Sequence, residues 1–287
     1  MSRRSLLIAF LLIAFVAATA AYAQEPPTYD IQKDLLLFGN LNQNQIPIWG
    51  ANACGPTAAI NSFVYLQNKY PGWYDSKLIG DADGDGDMND LQDLIAVANT
   101  LGGAAYMNTI VNTTTYHDDF IWGKQAYIEN QAPGVTVYEA QDIWAWNNLQ
   151  RPMPTWVTPL YPTWGFLYNE LVDCEDVEIL LSWSDGGHYL TVSSFHWTDA
   201  NSDGIIDVAE NASIDYIDPC TGAWGQTNIW HAAVDGGWKI ETAYNTYQPY
   251  ISMAVSESPV PEPCTMLVLG FGCAGIAGLA RRRSRKA

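Results

Sequence analysis

The chain has 287 residues and carries 31 acidic against 13 basic side chains, a formal charge of −18. Hydrophobic residues at 48% and aromatics at 13% exclude a disordered polyanion. The acidity excludes a protein that captures nucleic acid or an anionic membrane by charge, because its own field repels phosphate.

In chain order, Met1-Ser2-Arg3-Arg4, the apolar run from Leu6 to Ala20 and the small-x-small site Ala21-Tyr22-Ala23 predict a secretory signal peptide over 1–23. The alternative is an uncleaved membrane anchor. Residues 24–50 read as an extended lead-in. Asn52-Ala53-Cys54-Gly55-Pro56-Thr57 then opens a helix, since proline fits the first turn, where its missing donor is no loss. Ile60, Phe63, Val64 and Tyr70 follow at helical spacing. Cys54 thus falls at a helix N-terminus, where backbone donors and the positive end of the dipole favour thiolate over thiol.

Asp81, Asp83, Asp85, Gly86, Asp87, Asn89 and Gln92 follow the spacing of a twelve-residue calcium loop, with the uncharged Gln92 at the closing position and Asp93 as a shifted substitute. Leu91, Leu94, Ile95 and Val97-Ala98 predict a helix behind it. Residues 101–165 read as aromatic and irregular, with Pro152, Pro154, Pro159 and Pro162 marking loops.

Ile179-Leu180-Leu181 predicts a buried strand. A Gly-rich turn follows, and His188 opens the strand from Tyr189 to Phe195. An imidazole there can take a thiol proton and return it to a leaving amine. Of the other histidines, His117 and His231 read as lying in polar loops, and His196 as facing away from Phe195. Asp218, at the end of Ile214-Asp215-Tyr216-Ile217-Asp218-Pro219, could orient the imidazole, with Asp215 as rival. Between His188 and Asp218, a second calcium loop matches throughout. Asp199, Asn201, Asp203 and Asp207 supply side-chain oxygens, Gly204 the turn, Ile205 a carbonyl and Glu210 the closing carboxylate.

At the other end, Pro261-Glu262-Pro263, an apolar stretch over 264–280 and Arg281-Arg282-Arg283-Ser284-Arg285-Lys286 occur in that order. This tail, 259–287, resembles the PEP-CTERM sorting signal of Gram-negative bacteria. The resemblance implies a transient membrane anchor, recognition by an exosortase and the secretion machinery, and delivery to the envelope or outer surface. The termini hold seven of the basic residues and one acid, which leaves 6 basic and 30 acidic residues between them, a net of −24. Such a surface suits a calcium-containing exterior. Three cysteines remain there, Cys54, Cys174 and Cys220, and an oxidising compartment predicts one disulfide and one free thiol. The expected pairing is Cys174 with Cys220.

Taken together, Cys54-Gly55-Pro56, Gly187-His188-Tyr189 and Asp218-Pro219 resemble a papain-like cysteine peptidase of the bacteriocin-processing type and its secreted relatives. The resemblance spans residues 40–222 and includes the helix-strand-turn-His segment from Leu167 to Ser194. It implies an α+β papain-like domain over 24–258, a Cys54–His188–Asp218 triad and a peptide or protein substrate. It also implies an oxyanion-hole glutamine about six positions before the cysteine. Ile48 stands there, so Gln45 is the expected donor, with Gln43 further back. The expectation is therefore a surface-sorted cysteine peptidase stabilised by Ca2+. The alternatives are a thiol amidase or acyl transferase, and a non-catalytic calcium-binding surface protein on a peptidase scaffold.

Overall fold

A computed structural model describes residues 25–146, 151–235 and 237–260. The expected signal segment and the tail beyond 260 lie outside them. Among the described residues no helix is long and apolar enough to cross a membrane.

The architecture is α+β. Its axis is α1 (Cys54–Lys69), in which every residue from Gly55 to Gln67 is buried. A helix buried all round must match its polar groups internally. Here Asn61 Oδ1 accepts from Leu41 N–H at 2.8 Å, Gln67 Oε1 from Ile79 N–H at 2.6 Å, and Ala58 O from the Thr191 hydroxyl at 2.9 Å. Against α1 pack α2 (Leu91–Leu101) and α3 (His117–Gln131). A fourth helix, α4 (Trp164–Val172), covers the far side of the sheet. The Asp90 carboxylate caps α2 by accepting from Gln92 and Asp93 N–H, and the Thr163 hydroxyl caps α4.

Among the described residues nine strands form one sheet: β1 (Thr28–Gln32), β2 (Thr136–Asp142), β3 (Val157–Thr158), β4 (Asp176–Trp183), β5 (Gly186–Thr198), β6 (Ser213–Asp218), β7 (Ala223–Val234), β8 (Gly237–Thr242) and β9 (Tyr250–Pro259). All pairings are antiparallel except β2 with β3. Strands β5 to β9 pair in succession, and β4 bridges β5 and β9, so six strands close into a ring. Closure leaves only β1 and β3, outside the ring, as edge strands among the described residues, and both are short.

Two cores flank this sheet. One lies between the helices and the sheet and includes Ile60, Phe63, Phe120, Tyr189 and Ile217. The other, beneath α4, includes Leu167, Ile179, Leu190, Val192, Phe195 and Ile214. Strand β5 serves both by alternation, with Tyr189 and Thr191 toward α1, and Leu190 and Val192 toward the second core. A register shift between Val192 and Ser194 changes that parity, so Phe195 and Trp197 also enter the second core.

The strands after residue 165 and the helices at 54 and 91 form as the periodicity predicts. The lead-in is extended at β1, which pairs with the end of β5, and then departs from that reading in three short 3-10 turns at 35–37, 43–45 and 50–52. The supposedly irregular 101–165 stretch holds α3 and β2. Helix α3 escapes a periodicity search because it buries Asp118, Asp119 and Lys124 alongside Phe120 and Ile121. The fully buried Lys124 ammonium meets Asp176 (3.1 Å), Glu178 (2.5 Å) and Glu257, from β4 and β9. Burial pushes Glu178 up to about 7 against the pull of Lys124, and raises Glu257 as well. The site needs its cation, because three buried carboxylates without one could not stay ionised.

Candidate active site

Cys54 is the first residue of α1, and His188 and Asp218 approach it from neighbouring strands β5 and β6. The Cys54 thiol lies beside the His188 ring and the backbone N–H groups of Tyr189 and Gly55, close enough for each to favour its thiolate. His188 Nε2 donates to Asp218 Oδ1 at 2.8 Å, which leaves Nδ1 for the thiol. Asp218 also accepts from Cys220 N–H at 2.8 Å and from the Tyr244 hydroxyl at 3.0 Å. The Tyr244 ring stacks on His188 at 5.7 Å between centroids.

The electrostatics follow from these contacts. Burial pushes the Cys54 thiol up, but the hydrogen bond and charge of His188 outweigh it and leave the thiol below its ordinary range. Burial pulls His188 down, yet its contacts with Asp218, Cys220 and Cys54 push it up to about 12. Burial raises Asp218, and His188, Cys220 N–H and Tyr244 together bring it below its ordinary value. Each shift favours the ionised forms, a thiolate, an imidazolium and a carboxylate in sequence.

The motif glycine has a local reason. A Cβ on Gly55 would lie 2.7–2.9 Å from the Thr115 side chain, so only glycine lets the 114–117 segment close over the helix start. The loop before α1 is also tied to the turn after Asp218. Gln43 N–H donates to Pro219 O at 2.7 Å, Asn44 Nδ2 to Cys220 O at 2.9 Å, and Gln43 Nε2 to Ala51 O at 3.2 Å. Cysteine-bearing and aspartate-bearing segments are thereby held in one frame.

The expected oxyanion donor Gln45 is exposed, and its Oε1 caps its own turn by accepting from Asn42 N–H at 3.2 Å. No contact among the described residues links it to Cys54, His188 or Asp218. The buried Gln43 occupies the position between Ala51 and Pro219. The expected Cys174–Cys220 disulfide is absent, and all three cysteines are free thiols. Cys174 lies at the α4–β4 junction beneath Tyr65 and Tyr70, whose hydroxyls both donate to its carbonyl at 2.8 Å. Cys220 lies beside His188 and Asp218, with ligand atoms of all three within 4.8 Å of one another. Tyr244 and Cys220 were not legible as site residues, because neither has a motif and both arrive through the turns after β6 and β8.

His117 lies neither in a loop nor at the surface. It opens α3, is buried, and with Cys54 lines a cavity of about 400 Å³. His231 lies in β7, where it donates its N–H to Ile206 O and accepts at Nδ1 from Ile206 N–H, pinning the second acidic loop to the sheet. His196, half-buried, contacts Asp30 at 2.5 Å and Asp215 at 3.6 Å, which removes Asp215 as a rival partner for His188.

Both acidic loops fold by the same device, with carboxylates turned inward onto backbone N–H groups. In the second, Asp199 accepts from Asp203 and Gly204 N–H at 3.1 and 3.0 Å, and Gly204 takes φ +75°. Asp203 Oδ1 accepts from Ile205 N–H, while Asn201 Nδ2 reaches Asp203 and Asp207. Glu210 closes the loop, accepting from Ala200 N–H at 2.8 Å and Asp207 N–H at 3.0 Å. In the first, Asp81 accepts from Gly84 and Gly86 N–H, Asp83 from Asp85, Asp85 from Asp87, and Asp87 from Asn89. Carboxylate oxygens of Asp81, Asp83 and Asp85 lie within 4.8 Å of one another.

The closing residue there is Asp93, whose Oδ1 accepts from Ala82 N–H at 2.5 Å, as Glu210 does from Ala200. Gln92 is exposed and its N–H only completes the Asp90 cap. Asp93 Oδ2 is buried with no hydrogen-bond partner, an orphaned anionic oxygen that fits a cation in the loop. The second loop joins β5 to β6 at the ends remote from His188. Ten residues at ~3.3 Å each put it roughly 33 Å along the strand from the imidazole.

Compared with models of known protein families and with curated protein sequences, the chain matches none.

Proposed function

We propose that this protein is a cysteine peptidase of papain-like type, exported, sorted to the surface through its C-terminal segment and stabilised by Ca2+. The observation that carries the reading is the continuous contact from the Cys54 thiol through His188 to Asp218. An isolated cysteine at a helix start would support little. A thiol depressed by an imidazole, itself fixed by a carboxylate with two further donors, is an activated nucleophile.

In the reaction, the Cys54 thiolate attacks a peptide carbonyl carbon and the electron pair moves to oxygen. The oxyanion donor in this scheme is the Cys54 backbone N–H, in the helix's first turn, while the Gln43 amide is turned to Ala51 O. The His188 imidazolium gives its proton to the departing amine as the C–N bond breaks, leaving a thioester. Neutral His188 then takes a proton from water, hydroxide displaces Cys54, and the acid is released. Asp218 holds Nε2–H throughout, so that Nδ1 faces the sulfur. An amidase or acyl transferase would share the first half of this sequence.

Calcium is assigned to Asp199, Asn201, Asp203, Asp207, Glu210 and the Ile205 carbonyl, and to Asp81, Asp83, Asp85 and Asp93. It would supply charge neutralisation and loop order. Since the second loop is remote from His188, its effect on catalysis would pass through the β5–β6 register.

One observation favours a second reading, a non-catalytic scaffold: Gln45, the glutamine nearest the expected oxyanion position, is turned to its own cap. Labelling by a thiol-directed epoxide of the papain-inhibitor type, with Cys54→Ala as control, separates the two. Labelling at Cys54 no faster than at Cys174 would refute the peptidase reading.

A further inference from the structure

The cavity beside Cys54 contains a second histidine–carboxylate pair that the catalytic sequence does not use. His117 Nδ1 lies 2.7 Å from Asp142 Oδ2, and both side chains are buried. Asp142 Oδ1 accepts from Trp144 N–H at 2.9 Å, so the carboxylate is fixed from both sides. His117 is 6% exposed, it lines the cavity, and its Nε2 has no hydrogen-bond partner. A buried ring nitrogen left unpaired is unfavourable, and an incoming ligand atom that pairs with it removes that cost.

The charge of the pair decides what that atom belongs to. With Nδ1–H held by Asp142, a neutral ring presents an acceptor lone pair at Nε2, and the pair carries one negative charge. A protonated ring presents a donor, and the pair is neutral. In neither state is it positive. Asp118 and Asp119 follow on the first turn of α3, also buried, and Arg151 is the cation beside them, 3.0 Å from Asp119. The surroundings therefore add negative charge. Tyr116 and Trp144 also line the cavity and supply aromatic surface.

We infer that this cavity is the subsite for a basic substrate side chain, lysine or arginine, whose head group donates to His117 Nε2 with Asp142 behind it. The assignment deepens the peptidase reading and rests on it for the term substrate. An apolar side chain would leave Nε2 unpaired. A carboxylate would meet no positive charge. A guanidinium or ammonium gains a hydrogen bond, the field of Asp142 and a cation–π contact.

The test measures equilibrium binding of N-acetyl-arginine, N-acetyl-lysine, N-acetyl-norleucine and N-acetyl-glutamate methylamides to the full-chain Cys54→Ala variant, by calorimetry. Arginine and lysine ligands are expected to bind at least about tenfold tighter than norleucine, with glutamate weakest. Asp142→Asn in that background should bring arginine within about threefold of norleucine and leave norleucine unchanged. Norleucine or glutamate binding as tightly as arginine overturns the subsite, as does a basic preference that survives Asp142→Asn. If Asp142→Asn fails to fold, the ligand order on the parent decides alone. The rate of epoxide labelling at Cys54 in the unmutated chain separates the two claims. Fast labelling without a basic preference overturns only the subsite. A basic preference with slow labelling supports the cation-binding pocket and overturns only the peptidase.

Discussion

Replacing Asp218 by alanine removes the acceptor that fixes His188 Nε2 at 2.8 Å. A hydrogen bond between charged groups contributes about 1.5–3 kcal/mol, so the imidazolium–thiolate pair should lose about 10- to 150-fold in population. The sign follows from the shifts. The Cys54 thiol is depressed, so its thiolate should persist below the ordinary thiol range. His188 is raised to about 12, so its proton should persist above the ordinary imidazole range. The pair is present between those limits, and is lost as pH falls through the first or rises through the second. An ordinary thiol of pKa ~8.5 alkylates roughly 80-fold faster at pH 8 than at pH 6. Cys54, whose thiol is depressed, should change clearly less than that, whereas in Asp218→Ala it should move toward the ordinary curve. Asp218→Asn, which keeps an acceptor but no charge, should fall between. The assay is iodoacetamide alkylation followed peptide by peptide, with Cys174 in the same chain as reference. A Cys54 rate that tracks Cys174 across that pH range would refute the ion-pair argument.

Non-reducing peptide mapping should find no Cys174–Cys220 bridge, and Cys220→Ser should leave Cys54 labelling within about threefold, since Asp218 accepts from the backbone N–H of residue 220, which serine retains. For calcium, Asp93→Asn should weaken binding at the first loop while Gln92→Ala should not, as calorimetry on each variant will report. Where calcium stands at 100 times its Kd, chelation should remove about 2.7 kcal/mol of stability, read as a drop in Tm. Lys124→Met should destabilise by about 3–5 kcal/mol in denaturant unfolding, because three buried carboxylates lose their cation. A change under 1 kcal/mol there would mean that the carboxylates are already neutral.

Sequence alone determined the features that depend on near neighbours. Cys54 at the start of a helix, His188 on a strand after a tight turn and the order of oxygens in both acidic loops are local patterns, legible because Pro56, Gly204 and strand alternation impose them. The mixed α+β class and the later antiparallel strands were legible for the same reason. What lies across the fold was not. Helix α3 was hidden because burying Lys124 among carboxylates from β4 and β9 spoils its apolar stripe. Asp93 displaces Gln92 because a one-residue shift brings its carboxylate to Ala82 N–H, which spacing cannot reveal. Counting cysteines predicted a bridge between Cys174 and Cys220, but pairing depends on where the chain brings them, and they lie at different sites. The Asp142 carboxylate behind His117, Tyr244 stacked on His188, and Gln43 tied to Pro219 and Ala51 are contacts between segments far apart in the chain. Only the closed six-stranded ring and the helix packed against it decide such contacts, because they fix three-dimensional neighbours that no local pattern specifies.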